Sequence, residues 1–285
     1  MRFRIIGNGA FGTALSVIFK KNALLEDSLG SNFEQFIPGD IFVPAVPSDV
    51  LELVINKMKS FGKWDALLLV SKGISSAKLL TQDLLDSNTI DSLDNVMYFM
   101  GPNLAKEIME NTEFLSATVA GTPTWTNKVA KFLDNIKIDE SEDIEFIQIA
   151  GVLKNITAFV IGYLNPNQNG RATLIMQGIN EAAKLAQHLK MKNESNCNQN
   201  CDNEFKAFIG DFVLTCTSEF SRNYTAGVNK RNGIEKNETQ ESLKSVDNIY
   251  AMKENLSLPI VEFFYDLIKN NLDKRELLEQ KLRQN

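Results

Sequence analysis

The sequence has one histidine and three cysteines among 285 residues. A single histidine leaves no material for a Ser-His-Asp triad or a histidine-based metal site. His188 lies in AAKLAQHLK beside Lys184 and Lys190, with no Ser, Cys or Asp pattern near it, and reads as structural. The odd cysteine count (Cys197, Cys201, Cys216) gives no disulfide framework and fits a reducing compartment. Cys197 and Cys201 would share a helix face, but no further His or Cys nearby completes a zinc site, so no metal is expected. Basic excess is lacking as well. The formal charge is −6, which argues against nucleic-acid or acidic-membrane partners, because those interfaces need clustered Lys and Arg to displace counterions. Any anionic ligand must be held by local charge. Long apolar runs are also missing: the longest, residues 156–164 (ITAFVIGYL), falls short of the roughly 18 residues of a membrane span, so none is expected. Met1 leads straight into RFRIIG without an apolar leader and cleavage site, from which a cytoplasmic location is expected.

What is present is an ordinary globular composition, 44% hydrophobic and 23% charged, in a chain long enough for two cores. Residues 3–6 read as a buried strand, the glycines of 7–12 break it, and 13–21 read as a helix. Residues 23–39 are polar with scattered Phe and no clear period, which predicts a loop. Strand-length apolar runs follow at 40–47, 66–70, 96–100 and 116–120, with helices at 48–59, where Ser48 and Asp49 suit an N-cap, and at 105–110. Pro44 removes a ladder donor from the first of these runs. Alternation of strand and helix implies a parallel sheet covered on both faces. Beyond residue 144 the pattern turns helical, at 145–164, 173–190, 203–216 and 256–281. The Asn-rich stretches 193–203 and 229–241 read as exposed loops or helix ends. The expected fold class is therefore α/β plus all-α: a shortened N-terminal Rossmann-type domain (1–140) and a C-terminal helical domain (141–285).

Five motifs bear on chemistry. Gly7-Asn8-Gly9-Ala10-Phe11-Gly12 is a G-x-G-x-x-G placed between a strand and a helix. Gly7 allows the tight turn, Gly9 the approach of a pyrophosphate and Gly12 close helix–strand packing, with phosphate at the helix N-terminus. The acid that usually follows about twenty residues on is not recognisable, because Glu26, Asp27 and Glu34 end no convincing strand. Ser71-Lys72-Gly73 follows the 66–70 strand, where ligands of open α/β sheets gather; Lys72 is either an anion-binding residue or an exposed loop lysine. The run from Gly101 through Asn103 and Ala105 to Glu107 is a strand-turn-helix that admits a ligand closely, or simply a turn. Lys154-Asn155 sits in an otherwise apolar helix, and burying an ammonium is costly unless it is paired or deprotonated. Desolvation is how a Lys becomes a useful general base; snorkelling at a helix edge is the alternative. Asp211 and Thr215 are one helical turn apart, so that carboxylate could hold the Lys154 amine. Ser221, Arg222 and Asn223 form a donor cluster suited to a phosphate, unless Arg222 is only a surface-loop residue.

Taken together, IIGNGAFGTAL, VPSDV, SKGI, GPNLAKEI, GVLKNITA and GDFVLTCTSEFSRN resemble, in order and context, the bacterial NAD(P)-dependent glycerol-3-phosphate dehydrogenase family. The resemblance covers most of residues 3–223, and GDFVLTCTSEFSRN is its most specific part. It implies interconversion of glycerol 3-phosphate and dihydroxyacetone phosphate, directed in bacteria toward phospholipid precursor, with NAD or NADP as cofactor and a site in a cleft between the two domains. Lys154 corresponds to the proton acceptor, with Lys72, Asp211, Thr215 and Asn155 as catalytic partners. Gly101, Asn103, Ser221, Arg222 and Asn223, with Lys72, Lys154 and Asp211, correspond to substrate-holding positions. Gly7, Gly9, Ala10, Phe11, Gly12, Lys72, Ala105, Arg222 and Glu241 correspond to cofactor contacts. A homodimer is compatible with the resemblance. In this family a strand, a helix and a further strand stand where residues 23–39 stand here, so the adenosine side of the cofactor site is expected to be cut away. The rival readings are a non-catalytic or cofactor-impaired relative that keeps the substrate cleft, and a related dehydrogenase of another small phosphorylated or hydroxy-acid substrate.

Overall fold

The computed structural model describes residues 1–26, 33–71, 73–75, 77–192, 206–234 and 241–284. The chain divides into two compact units, one of Met1–Lys72, Leu80–Ile147 and Glu204–Phe208, the other of Gly73–Leu79, Gln148–Asn203 and Ile209–Asn285.

The first unit is built on a seven-stranded sheet. Its strands are β1 (Arg2–Ile6), β2 (Ala23–Glu26), β3 (Asp40–Pro44), β4 (Ala66–Leu69), β7 (Val96–Met100), β8 (Ser116–Gly121) and β9 (Lys137–Ser141), in the order β2-β1-β3-β4-β7-β8-β9. All pairs are parallel except β7 with β8. Strands β3, β4 and β7 are almost continuously apolar because both faces are covered. Phe3 and Ile5 turn to one face and pack with Ala14, Leu15, Ile18 and Phe19 of α1 (Ala10–Phe19). Helices α2 (Ser48–Met58), α3 (Leu80–Asp86), α4 (Ala105–Glu110) and α5 (Pro123–Phe132) complete the unit.

Two local expectations are corrected and a third is made more specific. Residues 23–26 form β2, an edge strand in register with β1 from Phe3↔Ala23 to Ile6↔Glu26, where a loop is expected. Its four residues are all half-buried, so it carries no alternation for a pattern to reveal. The cap residue of α2 is Pro47, with no side-chain cap bond, rather than Ser48 or Asp49. Pro44 does lie in a central strand, but at its last position. Ala45 N donates to Ile6 O at 2.8 Å on the β1 side, while pairing with β4 stops at Phe42↔Leu67 although β4 runs to Leu69, in keeping with the donor that Pro44 lacks.

Connecting β2 to β3 over so few residues depends on Arg4. This side chain is fully buried, donates from Nε to Glu26 Oε1 at 2.6 Å, and binds the carbonyls of Glu34 and Gln35 at 3.0 and 3.1 Å. Its guanidinium also lies 4.7 Å over the ring of Phe36, which packs with Phe42 and Trp64. One buried arginine therefore ties residues 34–36 onto the sheet.

The second unit carries the helices α6 (Ile144–Leu164, from Gln148 onward), α7 (Gln168–Lys192), α8 (Lys206–Thr217, from Ile209), α9 (Arg222–Arg231), α10 (Glu241–Met252), α11 (Pro259–Lys269) and α12 (Arg275–Gln284), with the small hairpin β5 (Ile74–Ser75) and β6 (Lys78–Leu79). The single helix expected over 256–281 is two. Pro259 starts α11, and Asn271 at φ 52° separates it from α12. Helix α9 runs into the Asn-rich stretch and ends within it, while residues 193–203 lie outside those described. Glu181 of α7 is fully buried and accepts from the Ile260 and Val261 amides at 2.8 and 3.2 Å, fixing the start of α11. Helix α6 is long and apolar enough to cross a bilayer by length and composition, contrary to the expectation drawn from unbroken runs, and 94% of its apolar window is buried within the protein.

Candidate active site

In the first unit, the glycine-rich turn closes as its residue types require. Gly7 adopts φ +119°, and a Cβ there would meet Ala45 O at 2.5 Å. A Cβ on Gly12 would lie 1.9 Å from Gly7 O, so only glycine lets α1 pack this closely on β1. Around a Cβ on Gly9 there is open space, and Gly9 caps α1 with no side-chain bond. The first-turn amides, those of Ala10, Phe11 and Gly12, are therefore left for an anion, and Gly9 leaves room for one to approach. The residues present fit a dinucleotide pyrophosphate.

At the carboxyl end of the same sheet, Ser71 Oγ donates to Val46 O at 2.5 Å, and Tyr98 Oη donates to Ser71 O at 2.5 Å. These bonds fix the chain on which Lys72 follows; Lys72 itself lies outside the described residues. Gly101 is required by its surroundings, since a Cβ would sit 2.6 Å from Ser116 O. Asn103 has both side-chain polar atoms buried with no partner among the described residues. A buried amide left in that state costs stability unless a ligand meets it. Ala105 opens α4, which has too few residues to supply a helix-terminal anion site.

In the second unit, Lys154 and Asn155 are 1% and 3% exposed in α6, and Asp211 and Thr215 of α8 are 2% and 7% exposed. Lys154 Nζ forms an ion pair with Asp211 Oδ2, and Thr215 Oγ1 donates to Asp211 Oδ1 at 3.3 Å. The structure thus brings Lys154, Asp211 and Thr215 together, and excludes the snorkelling alternative for Lys154. Cys216 Sγ lies 3.8 Å from Lys154 O, and burial pushes its thiol far above the ordinary range, so it stays protonated and inert. Ser221 is buried and caps α9, its Oγ accepting from Tyr224 N at 3.4 Å. Arg222 is exposed on the first turn of α9 and Asn223 is half-buried beside it. Arg171, which sequence reasoning passed over, reaches Tyr224 Oη at 3.3 Å from α7. Glu241 stands at the head of α10, its side chain outside the described part of the structure.

Two family models match the chain: the NAD-dependent glycerol-3-phosphate dehydrogenase N-terminus over residues 31–126 and the C-terminus of the same family over 143–279. The chain belongs to the NAD-dependent glycerol-3-phosphate dehydrogenase family. Among relatives named glycerol-3-phosphate dehydrogenase [NAD(P)+], the chain is 28% identical to that of Dehalococcoides mccartyi over 86% of this chain and 72% of the relative. It is 25% identical to that of Acholeplasma laidlawii over 99% and 97%. In fold it is similar to the crystal structure of glycerol-3-phosphate dehydrogenase from Coxiella burnetii, with a TM-score of 0.78 at 20% identity, covering 99% of this chain and 98% of that one. The Rossmann-like sheet followed by a helical region is the architecture of this dehydrogenase family. The N-terminal family match begins beyond β2, so the glycine-rich turn is assigned from its own geometry.

Proposed function

We propose that the chain interconverts glycerol 3-phosphate and dihydroxyacetone phosphate with NAD or NADP. The observation that carries this reading is the buried Lys154–Asp211 pair, braced by Thr215, in a chain of this family. A lysine amine inside an apolar helix is retained at a cost, and proton transfer at a substrate oxygen gives that cost a functional reason. In the reducing direction the Lys154 ammonium gives a proton to the carbonyl oxygen as hydride reaches C2; in the oxidising direction the neutral amine, having released that proton, accepts the C2 hydroxyl proton as hydride leaves. When bound, the nicotinamide supplies the hydride acceptor or donor.

Asp211 holds the amine in place, and the near-complete burial of both excludes water from the transfer. Asn155, next to Lys154 in sequence, is assigned as a further catalytic residue, and Lys72 as a second cation for the reaction. Ser221, Arg222 and Asn223 hold the substrate phosphate, Arg222 through two oxygens at once. The unpartnered amide of Asn103, next to Gly101, is available to a substrate hydroxyl or carbonyl. Gly7, Gly9 and the amides of Ala10, Phe11 and Gly12 hold the pyrophosphate, with Lys72, Ala105, Arg222 and Glu241 as further cofactor contacts. The cofactor-impaired alternative rests on a first domain shortened by a strand, a helix and a further strand, and β2 supplies the first of these. The same reading makes the protein a cytoplasmic enzyme of a small-molecule substrate; a homodimer is its expected assembly, checked by sedimentation. The test of the function is dihydroxyacetone phosphate reduction, followed as loss of NADH or NADPH. Folded protein that oxidises neither coenzyme with this substrate would remove the proposal.

A further inference from the structure

The carboxylate of Glu26 stands where a dinucleotide fold reads the adenosine ribose, although no motif in the sequence announced it. Glu26 is the last residue of β2, nineteen positions beyond Gly7, and its carbonyl accepts from Gly7 N at 2.9 Å. It therefore adjoins the glycine-rich turn directly. An acid at this place bonds the ribose hydroxyls of NAD, whereas NADP sites offer an arginine to the 2′-phosphate.

The surroundings decide which of the two this chain can offer. Arg4 binds Glu26 through Oε1, and no described residue bonds Oε2. The Glu26 side chain keeps 14% exposure, while that of Arg4 has none. The guanidinium of Arg4 is spent on Glu26, Glu34 O and Gln35 O, with Asp40 at 3.7 Å, so it cannot turn toward a phosphate. Arg2 is likewise committed to Asp40 at 2.8 Å. Glu26 thus keeps one carboxylate oxygen with no bond from a described residue, while the other is held by a buried cation.

We infer that Glu26 selects NAD over NADP, its Oε2 accepting from the adenosine ribose and its charge opposing a 2′-phosphate, with Arg4 as the positioning residue. This rests on the dehydrogenase reading above but concerns binding alone. The test is titration of the full chain with NADH and with NADPH, followed by nicotinamide fluorescence at low salt, where charge repulsion is least screened. Wild type binds NADH at least about tenfold more tightly, a ratio equal to about 1.4 kcal/mol. Glu26→Gln brings the two affinities to within about threefold, weakening NADH and strengthening NADPH. Arg4→Lys lowers the same ratio in the wild-type background and leaves it unmoved in the Glu26→Gln background, which a merely structural role would not do. Equal affinity of wild type for both coenzymes, or an unchanged ratio in Glu26→Gln, overturns the inference while leaving the dehydrogenase reading intact. Binding of neither coenzyme by folded protein overturns both.

Discussion

Removing one member of the Lys154–Asp211 pair should cost far more than removing both. The two groups are 1% and 2% exposed, so neither can recover hydration once its partner is gone. Two unit charges about 3 Å apart attract by roughly 5 kcal/mol at an effective dielectric near 20. Leaving one of them buried and unpaired destabilises by about 3 to 5 kcal/mol, a large share of the roughly 5 to 15 kcal/mol that holds a typical protein folded. Lys154→Met leaves the Asp211 carboxylate, among the described residues, with the 3.3 Å bond from Thr215 Oγ1 alone. Asp211→Leu removes the carboxylate that pairs with the ammonium. The double variant fills the same volume with apolar atoms and should unfold within about 1.5 kcal/mol of wild type. Urea denaturation followed by circular dichroism gives all four stabilities, and the cycle should return a coupling of about 3 kcal/mol or more. If the single costs simply add, or each is below about 1 kcal/mol, the pair is not the desolvated interaction described.

Other consequences follow from the same structure. Burial pushes the Glu181 carboxyl up to about 7, against an ordinary value of 4.5. The folded state therefore keeps this proton where the unfolded chain loses it, so the contribution is complete below about pH 4.5 and is lost as pH rises through about 7. In Glu181→Gln that loss is absent, and its stability relative to wild type should rise by about 3 kcal/mol between about pH 4.5 and 8; parallel pH profiles would contradict the assignment. Gly12→Ala places a Cβ 1.9 Å from Gly7 O. It should cost about 1 to 3 kcal/mol and weaken NADH binding, measured by denaturation and fluorescence; an unaffected variant would show that α1 need not pack this closely.

The parts of the fold legible in the sequence were those where sterics or burial leave one choice. The glycines at 7 and 12 could be assigned because a Cβ at either position meets backbone. The Lys154–Asn155 step stood out because a cation inside an apolar helix demands a partner, although only the fold supplies Asp211 as that partner. Strand β2 escaped because a four-residue, half-buried edge strand has neither a continuous apolar run nor alternation. Glu26 escaped with it, since its meaning depends on being a strand end. The break between α11 and α12 was equally hidden, because Asn271 in a left-handed conformation is a backbone choice that composition does not force.

The central claim is that Lys154 moves the proton in a glycerol-3-phosphate dehydrogenase reaction. Its most direct test compares wild type with Lys154→Ala in reduction of dihydroxyacetone phosphate by NADH, with NADH affinity measured on the same samples. A fall in kcat of about 100-fold to 10,000-fold with NADH affinity essentially unchanged is predicted. Near-normal kcat in the folded variant would contradict the account.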